Sequence, residues 1–184
     1  GWERANWFAR PGDDTSEEAT QTWNRAGPWE PRIRAECEAV RDGVGVLDLP
    51  GFSRFHLAGA GAADWLAGRI AGALPKVGRL NLAYFPDDRG RILTEMSVAR
   101  TGEDEFTLIT AATAQWHDWE LLARALPEGL SLTDRTREMS TLIVTGPQSR
   151  ALFEAIGTEA DLSLPWLSHQ RAVVAGRACT LARV

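Results

Sequence analysis

The sequence predicts an α+β fold in which an antiparallel sheet carries flanking helices. Its strand candidates come in adjacent groups joined by short turns, instead of alternating one by one with helices. The clearest turns lie at residues 50–51, 86–90 and 101–104, which are rich in Gly, Pro and Asp. Short turns favour antiparallel pairing, because parallel strands need long crossover connections.

Runs of apolar and β-branched residues bounded by turn residues predict the strands. They lie at residues 44–49, 52–58, 79–85, 91–100, 105–110, 130–134, 140–145, 172–175 and 178–184. Apolar residues at helical spacing predict helices at residues 31–42, 60–71, 113–126 and 147–156. The third of these is expected to carry Trp116, Trp119, Leu122 and Leu126 near one face.

Composition excludes several classes of function. The net charge of −5 and the isoelectric point near 5.3 argue against a general nucleic-acid binder. No apolar run approaches the ~18 residues that a membrane span needs, so no membrane partner is expected. Cys37 and Cys179 are far apart, and the histidines lack ligand spacing, which predicts no metal and a reducing, cytoplasmic setting.

Residues 1–35 differ from the rest of the chain. They contain Trp2, Trp7, Trp23 and Trp29 but little periodicity, so this arm is expected to pack over a folded body. The domain prediction is therefore an arm at residues 1–35 and a folded domain at residues 36–184. The chain begins at Gly1 without an initiator Met, which suggests a piece of a longer protein.

Two motifs are weak candidates for chemistry. The stretch AGAGAAD at residues 58–64 stands where a dinucleotide fingerprint would stand, but its third glycine is missing. A tight strand-to-helix turn is the favoured interpretation. His117 and Asp118 lie in a predicted helix, where neighbouring positions are expected to point apart, so they are not predicted to form a catalytic pair.

Glu95 is the more informative acid. It lies in a strand, where Glu is uncommon, and alternation places it on one face with Leu93, Ser97 and Ala99. A carboxylate on a partly apolar face is typical of a catalytic or ligand-binding acid. The alternative is a solvent-facing Glu paired with an Arg on a neighbouring strand.

An ordered set of stretches resembles the glycine-cleavage T-protein family. They are DGVGVLD at residues 42–48, FHLAG at 55–59, DDRG at 87–90 with the following strand, LIVTGPQSR at 142–150 and CTLARV at 179–184. The arm sequence GWERANWFA at residues 1–9 resembles the phrase that precedes the folate domain in dimethylglycine and sarcosine dehydrogenases. In those enzymes it follows an FAD-binding oxidoreductase domain.

The resemblance implies a tetrahydrofolate cavity with Glu95 as its catalytic carboxylate. Glu95 falls on the second Asp of the family's Asp-Asp pair, and Thr94 replaces the first. In that role Glu95 would orient folate and offset the positive charge of the reacting one-carbon unit. The residues predicted to contact the cofactor are Phe52, Asn81, Leu82, Tyr84 and Ser97. Leu82 replaces a folate-contacting Tyr of the family, and Phe52 stands where a Met is frequent.

The resulting hypothesis is that the chain is part of an FAD-dependent N-methyl amine dehydrogenase, which captures the one-carbon unit as 5,10-methylenetetrahydrofolate. The FAD domain and the C-terminal half of the folate domain would be its partners in the same protein, and the piece alone would be inactive. Three alternatives remain open: a stand-alone aminomethyltransferase, a non-enzymatic folate-binding module, and a domain whose site has decayed.

Overall fold

The computed structural model describes residues 5–21, 23 and 26–184. Two of the four arm tryptophans, Trp7 and Trp29, are half-buried, whereas Trp23 is exposed and Trp2 lies outside the described residues. The chain divides into two compact units, the first running to Asp48 and including Leu142–Ile156, the second formed by Leu49–Thr141 and Gly157–Val184.

Helices and strands follow the predicted order, with two additional short elements, a helix at Glu17–Thr20 and a strand at Thr158–Glu159. The helices are α1 (Glu17–Thr20), α2 (Glu30–Asp42), α3 (Ala62–Ala67), α4 (Gln115–Ala123) and α5 (Ser149–Ala155), with a 3-10 turn at Ala112–Ala114. The strands are β1 (Gly45–Asp48), β2 (Phe52–Ala58), β3 (Leu80–Pro86), β4 (Ile92–Gly102), β5 (Glu105–Ala111), β6 (Ser131–Asp134), β7 (Leu142–Thr145), β8 (Thr158–Glu159), β9 (Ser168–Val174) and β10 (Arg177–Arg183).

In the first unit, β1 and β7 pair antiparallel, beside helices α2 and α5. Gly146 follows β7 with φ at +122°, and a Cβ there would collide with the carbonyl oxygens of Gly43 and Val40. Gln148 then donates its backbone N–H to the Gly43 oxygen at 3.0 Å. Glycine is therefore required at residue 146, because another residue would be strained at this positive φ and its Cβ would have no room.

An ion pair ties the arm to α2. Arg32 donates to both carboxylate oxygens of Asp13, at 2.8 and 2.6 Å. These hydrogen bonds, together with one from the Arg10 backbone N–H, lower the pKa of Asp13 from 3.8 to about 2. The charged form of Asp13 is therefore favoured in the folded state.

Acid should release this part of the arm. Because the pKa of Asp13 is lowered on folding, its stabilisation is complete above 3.8 and is lost as the pH falls toward about 2. The protection factors of the backbone amides around Asp13, which are corrected for the intrinsic pH dependence of exchange, should fall over that window. Asp13→Asn should show the faster exchange already at neutral pH, and Glu38→Gln on the exposed side of α2 should not. Equal exchange in Asp13→Asn and wild type would contradict this role.

The second unit is built on a five-stranded antiparallel sheet with the order β3-β4-β5-β2-β6. A second antiparallel sheet has the order β10-β9-β8. One face of the larger sheet forms the core, where α3 and α4 contribute Leu66 and Leu122. The buried strand residues are Phe55, Leu57, Ala83, Phe85, Met96, Val98, Phe106 and Leu108. Trp119 of α4 packs edge-on to Phe55, with ring centroids 5.5 Å apart.

Helix α4 corrects two expectations. Trp116 is 73% exposed instead of lying on the apolar stripe, and Asp118 is fully buried in its place. Asp118 accepts one hydrogen bond from the Thr110 hydroxyl of β5, through Oδ2, and its Oδ1 contacts Nδ1 of His117 at 2.8 Å. Side-chain rotation thus brings the sequence neighbours His117 and Asp118 together, although a helix points their Cβ atoms apart.

Helix α3 is shorter than the predicted 60–71. It ends at Ala67, with Gly68 as its C-terminal cap. Ala71 then donates its backbone N–H to the Tyr84 carbonyl oxygen at 2.8 Å, so the chain leaves the helix and meets β3. At the start of α3, the Asp104 carboxylate accepts hydrogen bonds from the backbone N–H groups of Ala63 and Gly61. These hydrogen bonds lower the pKa of Asp104. The stretch at 58–64 is therefore a capped strand-to-helix turn with no parallel βαβ unit.

Asp118 should be important for stability. Replacing it with Ala leaves the buried Thr110 hydroxyl without its acceptor, and we expect a loss of ~1–3 kcal/mol in the free energy of unfolding, measured by urea denaturation. His117→Ala is the matched control, because its side chain is largely exposed, and should change stability by less than ~0.5 kcal/mol. Similar losses in both variants would show that the His117 contact, and not burial, matters.

Candidate functional site

The face of the five-stranded sheet opposite the core carries the candidate site. Antiparallel register aligns side chains across it in rows. One row places Tyr84 of β3 against Glu95 of β4. The next row runs from Leu82 through Ser97 and Ile109 and on to Arg54 of β2.

The structure brings five of the six predicted site residues onto this face. The surfaces of Phe52, Leu82 and Tyr84 are 37%, 50% and 39% exposed, respectively, and Ser97 is half-buried beside them. Asn81 alternates to the other side of β3. Its Nδ2 donates to the Ala73 carbonyl oxygen at 3.0 Å.

Glu95 is exposed and lies among apolar neighbours. Its cross-strand partner is Tyr84, and Leu82 and Leu93 flank it on the same face. In the part of the chain that the structure describes, no ion pair or hydrogen bond involves its side chain, so the alternative of a Glu–Arg pair is absent there. A carboxylate with aromatic and aliphatic neighbours is suited to a flat ligand that donates N–H groups.

Arg54 is a feature of this face that the sequence analysis missed. It is 3% exposed, and its guanidinium donates to the Phe52 and Leu49 carbonyl oxygens at 2.9 and 3.1 Å and to the Thr141 hydroxyl at 2.8 Å. It thereby fixes the backbone that presents Phe52. The signal that the sequence offers is an Arg inside a predicted strand, between Ser53 and Phe55.

At the far end of the face, His56 of β2 contacts Glu105 of β5 through Nε2 and Oε1 at 2.9 Å. Both side chains are about a third exposed, at 34% and 40%. Groups of three or more His, Cys, Asp or Glu side chains that suit a metal are absent from the described ranges. Within those ranges, no helix is both long enough and apolar enough to cross a membrane.

We expect Arg54 to stabilise the fold, and with it the backbone that presents Phe52. Arg54→Met removes donors from buried oxygens, and we expect a loss of about 1.5–3 kcal/mol in the free energy of unfolding, measured by chemical denaturation. Arg54→Lys should recover only part of this, because an ammonium lacks the planar fork of donors. The exposed Arg171→Met is the control and should stay within ~0.5 kcal/mol of wild type. An equal effect at both positions would overturn this role.

Comparison with known proteins gives one family and a set of relatives. The family model described as the GCVT N-terminal domain matches residues 1–184. Mitochondrial dimethylglycine dehydrogenase of Mus musculus is 32% identical over 166 residues, which is 89% of this chain and 19% of that protein. The chain therefore spans about a fifth of the length of this relative.

Two further relatives are named for different enzyme activities, an oxidase and an aminomethyltransferase. The 4-methylaminobutanoate oxidase (formaldehyde-forming) of Paenarthrobacter nicotinovorans is 33% identical over 162 residues, covering 86% of this chain and 19% of that protein. An aminomethyltransferase of Thermus thermophilus is 32% identical over 157 residues, covering 82% of this chain and 44% of that protein. The chain is thus related to enzymes of both kinds.

Solved structures share the fold. The glycine cleavage system aminomethyltransferase T from Bartonella henselae has a TM-score of 0.64 and 22% identity, covering 77% of this chain and 39% of that one. A chain of the heterotetrameric sarcosine oxidase from Corynebacterium sp. U-96 has a TM-score of 0.60 and 21% identity, covering 82% of this chain and 76% of that one. These similarities confirm the predicted α+β fold with an antiparallel sheet.

Proposed function

Because the chain belongs to the family of GCVT N-terminal domains, as its sequence resemblance indicated, we propose that it forms part of a tetrahydrofolate site in an N-methyl amine dehydrogenase. The names of two relatives support this substrate class, since one is a dimethylglycine dehydrogenase and the other a formaldehyde-forming oxidase of a methylamino acid. The one-carbon unit would leave as 5,10-methylenetetrahydrofolate.

The observation that carries the proposal is the pairing of Glu95 with Tyr84 on an open, largely apolar sheet face. A reduced pterin is flat and bears several N–H donors, so it suits a carboxylate acceptor beside an aromatic ring. Phe52 and Leu82 extend the apolar surface on either side. The residues present therefore fit the pterin end of folate.

Each residue has a distinct part in this proposal. Glu95 would accept a hydrogen bond from a pterin N–H and offset positive charge that develops next to it. Tyr84 and Phe52 would orient the ring by contact with its faces, and Ser97 would offer a hydroxyl between them. Tetrahydrofolate supplies the nitrogen atoms that take up the one-carbon unit, and FAD in a separate domain supplies the oxidation.

The domain organisation follows from the same proposal. Residues 1–35 would be the end of an oxidoreductase-associated domain, and residues 36–184 the N-terminal portion of the folate domain. The FAD domain and the other half of the folate cavity would belong to the rest of the protein, in keeping with the fifth of the dehydrogenase that this chain spans. The exposed, unpaired Cys37 and Cys179 fit a reducing compartment such as the cytoplasm.

A stand-alone aminomethyltransferase is the second candidate function. The 32% identity to the Thermus thermophilus enzyme favours it, because that alignment covers 82% of this chain. It would use folate in the same way but without FAD. The presence of a dinucleotide-binding motif upstream in the gene would decide for the dehydrogenase, and its absence for the aminomethyltransferase.

The test is calorimetric titration of the intact protein with tetrahydrofolate. Glu95→Gln keeps the shape of the side chain but removes its charge, so it should weaken binding by ~1–3 kcal/mol, the scale of one hydrogen bond to a charged group. Tyr84→Leu should also weaken binding, through loss of the aromatic contact, by ~0.5–1.5 kcal/mol.

Glu128→Gln is the matched control. It makes the same charge change at an exposed position of the same unit, between α4 and β6. It should bind tetrahydrofolate as wild type does. If Glu95→Gln and Glu128→Gln bind equally well, Glu95 has no part in the site, and if the wild-type protein does not bind tetrahydrofolate, the proposed function is wrong.

A further inference from the structure

Helix α4 carries a solvent-exposed histidine that is attached to a buried carboxylate. The His117 side chain is 57% exposed, whereas the Asp118 side chain that it contacts is completely buried. Helices α3 and α4 pack on the core face of the five-stranded sheet, and Glu95 lies on the opposite face. A ligand at His117 would therefore bind independently of the proposed folate site.

The buried carboxylate fixes the orientation of the His117 ring. Asp118 Oδ2 accepts a hydrogen bond from the Thr110 hydroxyl, and the other oxygen, Oδ1, lies 2.8 Å from His117 Nδ1. Because an ionised carboxylate can only accept hydrogen bonds, Nδ1 carries the proton in this contact. In the neutral ring, the second nitrogen, Nε2, then has a free lone pair.

The Nε2 atom of His117 is available to a ligand. Across residues 5–21, 23 and 26–184, no hydrogen bond or ion pair involves this atom. Histidines that bind metal ions commonly have the same arrangement, in which one ring nitrogen donates to a carboxylate and the other binds the metal. The carboxylate selects the tautomer and holds the ring in place, so His117 is oriented before any ligand arrives.

A second possible ligand lies one helical turn further along α4. Glu120 follows His117 by three residues, and residues at this spacing are neighbours on a helix surface, with Cβ atoms ~5–6 Å apart. Glu120 Oε2 accepts a hydrogen bond from Arg124 at 2.7 Å, but both side chains are largely exposed, at 61% and 79%. Such a surface ion pair contributes little to stability, so the Glu120 carboxylate can turn to a cation.

The other two histidines, both of which the structure describes, lack this combination. His56 contacts Glu105 through Nε2, and both side chains are partly exposed, so no buried carboxylate fixes the ring. His169 is 9% exposed, and its Nε2 lies 3.1 Å from the Arg100 carbonyl oxygen. Only His117 therefore joins a buried carboxylate partner to an exposed ring.

We propose that His117 Nε2 and the Glu120 carboxylate bind a divalent transition-metal ion, with Asp118 as the positioning residue behind the imidazole. A ligand pair of imidazole nitrogen and carboxylate oxygen suits Zn²⁺. The described residues offer no group of three or more His, Cys, Asp or Glu ligands. Two protein ligands leave coordination positions for water, so the ion binds reversibly and is not a structural zinc.

The experiment is calorimetric titration of the intact protein with Zn²⁺. Wild type should show a Zn²⁺ site that is lost in His117→Gln and weakened in Glu120→Gln, two substitutions at exposed positions. Asp118→Asn should weaken binding by about 10–100-fold, the usual effect of changing the partner of a ligating histidine. The matched controls are His56→Gln and Glu128→Gln, which make the same replacements elsewhere in the second unit and should bind Zn²⁺ as wild type does.

Each contrary outcome overturns a stated part of the proposal. If wild type binds no Zn²⁺, or if His117→Gln binds it equally well, the site is wrong. If His56→Gln loses the ion instead, the metal binds at the His56–Glu105 pair and the proposal fails. If Asp118→Asn unfolds in urea as a folded protein does and keeps the wild-type affinity, Asp118 does not position the ring.

Discussion

The antiparallel register of β2, β5 and β4 is the constraint on which the rest of the second unit depends. Because side chains alternate along a strand, the pairing that buries Phe55 and Leu108 on one face also turns Arg54 and Ile109 to the other. A slip of one residue would exchange the two faces completely. The core and the candidate site are therefore two consequences of one pairing, and the core keeps the site in register.

Buried polar groups on both sides of this sheet reinforce the same register. Asp118 lies on the core side, where it accepts from Thr110 of β5. On the opposite side, Arg54 of β2 donates hydrogen bonds to the Thr141 hydroxyl and to the carbonyl oxygen of Leu49, which lies between β1 and β2. Buried polar side chains tolerate little displacement, because each would lose its hydrogen-bond partner where no water can replace it. They add specificity to a sheet whose apolar contacts alone would be less selective.

Strand patterns in the sequence were sufficient to predict the sheet and the face of Glu95. Strand β2 has the predicted bounds, and alternation correctly grouped Glu95 with Ser97. The same alternation separates Asn81 from them, although the family resemblance implies that Asn81 contacts the cofactor. Proximity in sequence was the weaker guide, because adjacent strand residues face opposite sides.

Tertiary contacts decided the features that periodicity could not predict. Asp118 replaces Trp116 on the buried side of α4, because Thr110 offers it a hydrogen bond that no pattern in the helix reveals. Arg54 is buried for a similar reason, with partners that include Thr141, far away in sequence. Buried polar side chains are stabilised by hydrogen-bond partners on other helices and strands. Hydropathy alone does not show these partners, so it predicts that such side chains lie at the surface.

The distribution of charge along β3 gives the sheet face a direction. The protein has a net charge of −5. Among the residues that the structure describes, Lys76 and Arg79 at the turn before β3 make no ion pair, while the Glu95 carboxylate lies opposite Tyr84 near the other end of the strand. The two ends of the strand therefore attract ligand groups of opposite charge.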